Sequence, residues 1–395
     1  MNQIARKLMK IVRIFTTFAE DVIERLYQCK LRLREILKFK DSRRVAIYSK
    51  VNLTAEQKKQ IDDFYRANYG KKISHTWHKY YTAFTGNFDA NYFPELIYAS
   101  EFEHYLHCNE AYCKVFSDKN VLPYLAQAAG VKTAKTLFSC VGGLLRNEHN
   151  EPLTAAAFEM QFGSVGEAFV KPSVDSNSGD GCRVVNMQQG KDVLSGQTVA
   201  QLIKSLGKNF IVQERLRSHP AVAALYPHSV NTFRIVTYRW KDEILHARLL
   251  MKIGRGGKNV ENAHAGGIFV AVEDDGTLHK TAFSEFNTQF LQHPDTHITF
   301  EGYKIPHMDK LIEAAFKMHA LLPQVGIFHW DFILNEQGIP VIMEGNTGTG
   351  GIGSIQMAHG KGLFGDKTGE ILRWTAQMKK LPFSKRKQYR PGDFK

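Results

Sequence analysis

Acidic residues are in short supply in this sequence. Against 52 Lys and Arg stand 39 Asp and Glu, a formal net charge of +13. Cysteine is scarcer still, with five residues at positions 29, 108, 113, 140 and 182 and no CxxC pair. The number is odd and offers no even disulfide framework, which fits reduced thiols in a cytosolic compartment. No run of 18 apolar residues occurs, so no membrane-spanning helix is expected. Arg6, Lys7, Lys10 and Arg13 interrupt the first apolar stretch, which argues against a secretory signal. A GxxxxGK[ST] loop is missing, so no Walker-type nucleotide site is expected. Zinc-finger spacing and RNP-like runs are missing too, so nucleic acid is not an expected partner.

The surplus of positive charge is confined to the two ends. Residues 1–44 hold twelve Lys/Arg and five Asp/Glu, and residues 379–395 hold seven and one. The ends therefore carry +7 and +6, and the segment between them is formally neutral. Basic ends of this kind suit an anionic lipid surface or a polyanionic partner, with solubility as the competing reading.

The most informative stretch is Gly326 to Gly353, GIFHWDFILNEQGIPVIMEGNTGTGGIG. It reads as a β-hairpin around the turn 335–338. Alternation places His329 and Asp331 on one face and Phe328, Trp330 and Phe332 on the other. In the second strand Val341, Met343 and Gly345 share a face, and Ile342, Glu344 and Asn346 share the opposite one. If the faces register, Asp331, Glu344 and Asn346 converge as hard oxygen ligands suited to Mg²⁺. Both acids sit among apolar neighbours, where an unpaired carboxylate is costly. The glycines after Asn346 allow close backbone approach.

Upstream, residues 2–40 predict one long helix with a seam at Ile4, Leu8, Ile11, Phe15, Phe18, Val22 and Leu26. Packing on its own domain or on a second copy is the favoured expectation, and lying on a membrane is the alternative. Thr54 and Gln57 predict a capped helix start. The aromatic cluster from Trp77 to Phe93 predicts core, with a sugar-stacking platform as the alternative. VKTAKTLFS predicts a strand, residues 141–151 a loop, and AFVKPSVDSNSGDGCRVV two strands around a Gly/Ser loop. A lysine at a strand end beside such a loop suits phosphate oxygens. Gln213 and Glu214 end a further strand, facing an adenine edge and ribose hydroxyls. Arg234 interrupts the apolar strand SVNTFRIVTYR, and Lys252 lies near the end of strand 244–253.

These pieces in this order resemble the ATP-grasp superfamily, and more narrowly its sugar-transfer-associated branch. The matching elements are Asp118-Lys119, Lys171-Pro172 with the loop Ser176 to Gly181, Gln213-Glu214, Asp331, and Glu344-Gly345-Asn346. WHKYYTAFTGNFDANYFP, NTFRIVTYR and AGGI point to the narrower branch. The resemblance implies an α+β ATP-grasp fold, two α+β subdomains gripping ATP, with a helical N-terminal extension. It divides the chain into 1–104, a helical and pre-grasp region; 105–213, the lid or N-terminal subdomain; 214–378, the catalytic subdomain; and a basic tail, 379–395. It implies that Lys119 and Lys171, with Ser176, Ser178, Gly179 and Gly181, hold the phosphates. Gln213 and Glu214 would lie at adenine and ribose, and Asp331, Glu344 and Asn346 would hold Mg²⁺. Arg234 and His329 would face the transferred phosphoryl group, His329 standing where related ligases often carry arginine. The implied activity is an ADP-forming carboxylate–amine ligase working through an acyl phosphate, on a sugar or sugar acid of surface-polysaccharide synthesis. A sugar kinase and a non-catalytic nucleotide or saccharide binder remain alternatives. The expected partners are ATP, Mg²⁺ and a small carboxylate and amine, in a cytoplasmic protein, with peripheral contact at an anionic membrane and a dimer as open options.

Overall fold

The computed structural model describes residues 3–107, 110–174, 181–348, 350–386 and 388–394. Two sheets organise them. The larger has nine strands among the described residues. Its middle runs from Pro340–Asn346 through Ile327–Leu334 and Thr232–Trp240 to Leu249–Ile253 and Ile268–Val272, each antiparallel to the next. IFHWDFIL is buried along its whole length, as expected of a strand covered on both faces. On one face Phe233, Ile235, Phe328, Trp330 and Ile342 share a core with the helix Met308–Ala320. On the other, Val236, Tyr238, Leu250 and Ile327 pack against residues 61–106. Trp77, Tyr80, Tyr81, Phe84, Tyr92 and Phe93 are all buried there, so these rings form core and offer no stacking platform. The N-terminal region thus shares one core with the larger sheet.

The smaller sheet has six strands among the described residues. Its order is Leu144–Asn147, Thr136–Val141, Phe210–Glu214, Gly166–Pro172, Arg183–Gln188 and Lys191–Asp192. Phe138, Val170 and Val212 bury one face against the helices Ala155–Phe162 and Val199–Leu206.

The expected strand VKTAKTLFS is in fact two. Lys132–Thr133 pairs in parallel with Val341 and Ile342 in the larger sheet, while Thr136–Val141 belongs to the smaller one. Ala134 and Lys135 cross between the sheets, and one segment cannot continue two ladders at once. The expected loop 141–151 contains a strand, because Gly142 and Gly143 both take positive φ and turn the chain back on itself. The expected strand 244–253 is broken into Glu243–His246 and Leu249–Ile253. The capping box of Thr54 and Gln57 is formed, and the first helix spans Gln3–Lys38.

Candidate active site

The hairpin register brings the two acids together, by a route simple alternation misses. From the turn outward, Leu334 faces Pro340, Ile333 faces Val341, and Phe332 faces Ile342. Strict pairing would next set Met343 opposite Asp331 and Glu344 opposite buried Trp330. A β-bulge at Met343 intervenes, so Asp331 faces Glu344 and His329 faces Asn346. A bulge re-aims the side chains beyond it. It also corrects the expected face sharing: Ile342 lies in the core with Phe332, while Glu344 joins Asp331. Gly345 then passes Trp330, where a Cβ would collide with the indole.

The row continues across the next strand, where Arg234 pairs with Asp331. Its guanidinium is bidentate, Nε to Oδ1 at 2.8 Å and Nη2 to Oδ2 at 2.9 Å. Lys252 Nζ reaches Asp331 Oδ1 at 2.9 Å from the neighbouring strand. Burial pushes the Asp331 carboxyl up, but Arg234 and Lys252 outweigh it and hold it below the ordinary carboxylate range. Beside Lys252, Glu261 accepts from Thr232 Oγ1 at 3.1 Å, and burial raises its pKa.

The smaller sheet contributes a second group of cations. Lys171 is buried at a strand end, and burial pushes its pKa down to about 8. The Lys119 backbone N–H donates to Ser173 O at 2.8 Å, fixing its segment to the chain just after Lys171-Pro172. Lys119 Nζ lies 3.7 Å from Glu344 Oε1, linking the two sheets. Cys182 sits in the same field: burial pushes its thiol up, while Lys171 and Lys119 pull it back.

A cavity of about 260 Å³ opens beside this cluster. Phe169 and Val184, paired across neighbouring strands, form one wall, and Met343 of the bulge contributes to the lining. Gln213 and Glu214 lie on the rim, both tied to the crossing segment. Gln213 Nε2 donates to Ala134 O at 3.2 Å, and Glu214 Oε1 accepts from Lys135 N at 2.9 Å.

His329 shares the face of Asp331 but is fully buried, with Nε2 2.6 Å from the Tyr98 hydroxyl and 3.5 Å from Glu103 Oε1. Gly350 lies against its ring, where a Cβ would overlap it. The glycine run therefore makes a close approach to His329. Asn346 is half-buried opposite it. Gly181 is at positive φ against Pro172. Ser176, Ser178 and Gly179 lie outside the described residues.

Sequence reasoning missed several members of this site. Lys252, the only charged residue in LLMKI, carried the same signal as Arg234 without being given a role. Glu261 lies in an irregular loop and carries no pattern. The Phe169–Val184 wall looks like any apolar strand pair until the sheets are set against each other.

Two sheets closing on a cavity of mixed lining, with a carboxylate and lysine cluster at its side, define an ATP-grasp protein. The chain belongs to the sugar-transfer associated ATP-grasp family, whose pattern matches residues 99–370. No curated protein matches it. Solved structures that it resembles include a D-Ala:D-Ser ligase from Enterococcus faecalis, 16% identical with a TM-score of 0.40, covering 66% of this chain and 62% of that one. D-alanyl-alanine synthetase A from Vibrio cholerae is 13% identical at a TM-score of 0.38, covering 66% and 65%. Carboxyaminoimidazole ribonucleotide synthase from Aspergillus clavatus, complexed with ATP, is 12% identical at 0.36, covering 60% and 46%. The chain spans less than two thirds of the length of each of these three.

Proposed function

We propose that this protein is an ATP-dependent carboxylate–amine ligase that releases ADP and acts on a sugar or sugar acid in surface-polysaccharide assembly. The carrying observation is the in-register row Glu344–Asp331–Arg234, flanked by Lys119, Lys171 and Lys252. Such a row offers hard oxygen ligands beside fixed cations, the set that phosphoryl transfer requires.

Adenine would occupy the cavity walled by Phe169, Val184 and Met343, with Gln213 and Glu214 at its edge and the ribose. Lys119 and Lys171 would neutralise the phosphates, and the loop with Ser176, Ser178, Gly179 and Gly181 would hydrogen-bond their oxygens. The donor set fits Mg²⁺: Glu344 is only half-buried, Asn346 adds an amide oxygen, and among the described residues Asp331 Oδ2 accepts from Arg234 alone, leaving a lone pair. Bound there, Mg²⁺ would supply charge neutralisation at the phosphate oxygens.

Arg234 and Lys252 would stabilise charge on the phosphoryl group as it passes to the substrate carboxylate. The bond from the γ-phosphorus to the bridging oxygen breaks, and ADP leaves with that electron pair. A new bond joins the γ-phosphorus to a carboxylate oxygen. The amine then attacks the acyl carbon, phosphate departs, and the amine loses a proton. His329 would act from behind, through Tyr98, Glu103 and the glycine run packed on its ring. We place the work in the cytoplasm, peripheral to the inner face of the membrane, as the basic ends favour. No described helix is long and apolar enough to cross a membrane. The domain division at residues 104, 213 and 378 remains part of this reading.

The test is ADP release over a panel of sugar acids, amino acids and amino sugars, with and without hydroxylamine. A hydroxamate together with ADP establishes the acyl phosphate. ADP formed with a phosphorylated sugar and no hydroxamate would make the protein a kinase.

A further inference from the structure

The helix Gln3–Lys38 is mounted the wrong way round for a helix that folds onto its own domain. Its inward side is mostly polar, with Leu31 as its buried apolar anchor. Glu24 and Glu35 are buried, Glu24 by Arg386 at 3.1 Å and by His104, Glu35 by Lys38 at 2.8 Å. Asp21 Oδ1 accepts from Ser384 N at 3.4 Å. Its outward side is apolar. Leu8, Ile11, Phe15, Phe18, Val22 and Leu26 step by three and four, and each is between 39% and 70% exposed. At 1.5 Å per residue this stripe is about 27 Å long. Soluble helices turn such a stripe inward, so the exposed stripe calls for an apolar partner.

We propose that this outward stripe docks into the interfacial layer of an anionic bilayer. The surface deepens the peripheral position proposed above and is independent of the ligase chemistry. Three observations select lipid over a second copy of the chain. Val12, Ile14 and Ile23 are also exposed and widen the stripe to roughly half the helix circumference, broader than a two-helix seam. Before Glu20 the helix carries Arg6, Lys7, Lys10 and Arg13 and no acid, so parallel copies would set like charges together. The second basic end begins against this helix, through the contacts of Ser384 with Asp21 and Arg386 with Glu24, so it adds cations to a segment that is already basic. The folded body packs on the polar side of the helix. The helix can therefore lie flat on a surface with the body above it.

The test is co-sedimentation of the full chain with vesicles of phosphatidylcholine alone or mixed with phosphatidylglycerol, at low and high salt, beside light scattering of the free protein. The expected result is binding to the mixed vesicles at low salt, weakened by salt and by neutral lipid. The double variant Phe15→Glu, Phe18→Glu changes only exposed positions and should lower partitioning by at least about tenfold. Replacing Arg6, Lys7, Lys10 and Arg13 with Gln should weaken it on anionic vesicles only. ADP formation should be the same in all of these variants, which separates this idea from the fate of the ligase reading. No binding at low salt would overturn it. So would equal binding by the double variant, or a stable dimer that the double variant dissociates without any effect of vesicles.

Discussion

Arg234 grips both oxygens of Asp331, at 2.8 and 2.9 Å, across two neighbouring strands of the larger sheet. The pair is largely buried, and Lys252 is its only other partner among the described residues. Removing one member of a buried ion pair strands the other, which typically costs about 3–5 kcal/mol. Lys252 stays in place, so Arg234→Ala should cost somewhat less, about 2–3 kcal/mol, and should abolish ADP formation. Urea unfolding and a coupled ADP assay check both halves. An unchanged unfolding midpoint would mean that the pair contributes nothing to the fold.

Glu344 stands in a different position. It is half-buried, and its ion-pair contact is Lys119 at 3.7 Å. Little of the fold rests on it. Glu344→Gln should keep stability within about 0.5 kcal/mol of the parent, as expected for a partly exposed position. If it holds Mg²⁺, ADP formation should fall on the order of a hundredfold to a thousandfold, and added Mg²⁺ should restore part of it. Full activity at ordinary Mg²⁺ would remove Glu344 from the metal site.

The difference between these two acids marks what the sequence made legible. That Asp331 and Glu344 belong together was readable from two acids in apolar strands joined by one turn. How they meet was not, because the bulge at Met343 leaves no mark in a pattern of period two. The capping box at Thr54 was readable because it is local. The crossing at Ala134 and Lys135 was not, because it depends on Gln213 and Glu214, about eighty residues away. Arg234 and Lys252 stood out in their strands, but only the sheet order reveals their shared target. The helix Gln3–Lys38 was legible in extent, whereas its orientation depends on Glu24 and Glu35 being drawn inward by cations elsewhere in the chain and on the helix itself.

Phe169 tests the nucleotide cavity. It faces the cavity beside Val184, away from the core of its own sheet. Base stacking on an aromatic ring contributes about 1–3 kcal/mol. Phe169→Ala should raise KM for ATP about tenfold or more and leave kcat within a factor of two or so. A fall in kcat with an unchanged KM would show that adenine lies elsewhere.

Lys171 provides a pH signature. Burial lowers its pKa from 10.5 to about 8, so its charge is present below pH 8 and is lost as pH rises through that value. An ordinary surface lysine stays charged over the same range. A phosphate group bound beside Lys171 favours the charged form, so the complex retains a proton that the free enzyme releases. ATP affinity should therefore be flat from pH 6.5 to about 7.5 and then weaken above pH 8, approaching tenfold per unit. Lys171→Arg stays charged throughout. It should bind ATP less well at pH 7, because the planar fork does not match a point charge, but its profile should be level up to pH 9.5. Calorimetric titration of both proteins with ATP across this range is the measurement. If the two profiles fall in parallel above pH 8, the titrating group is another residue and Lys171 does not hold the phosphates.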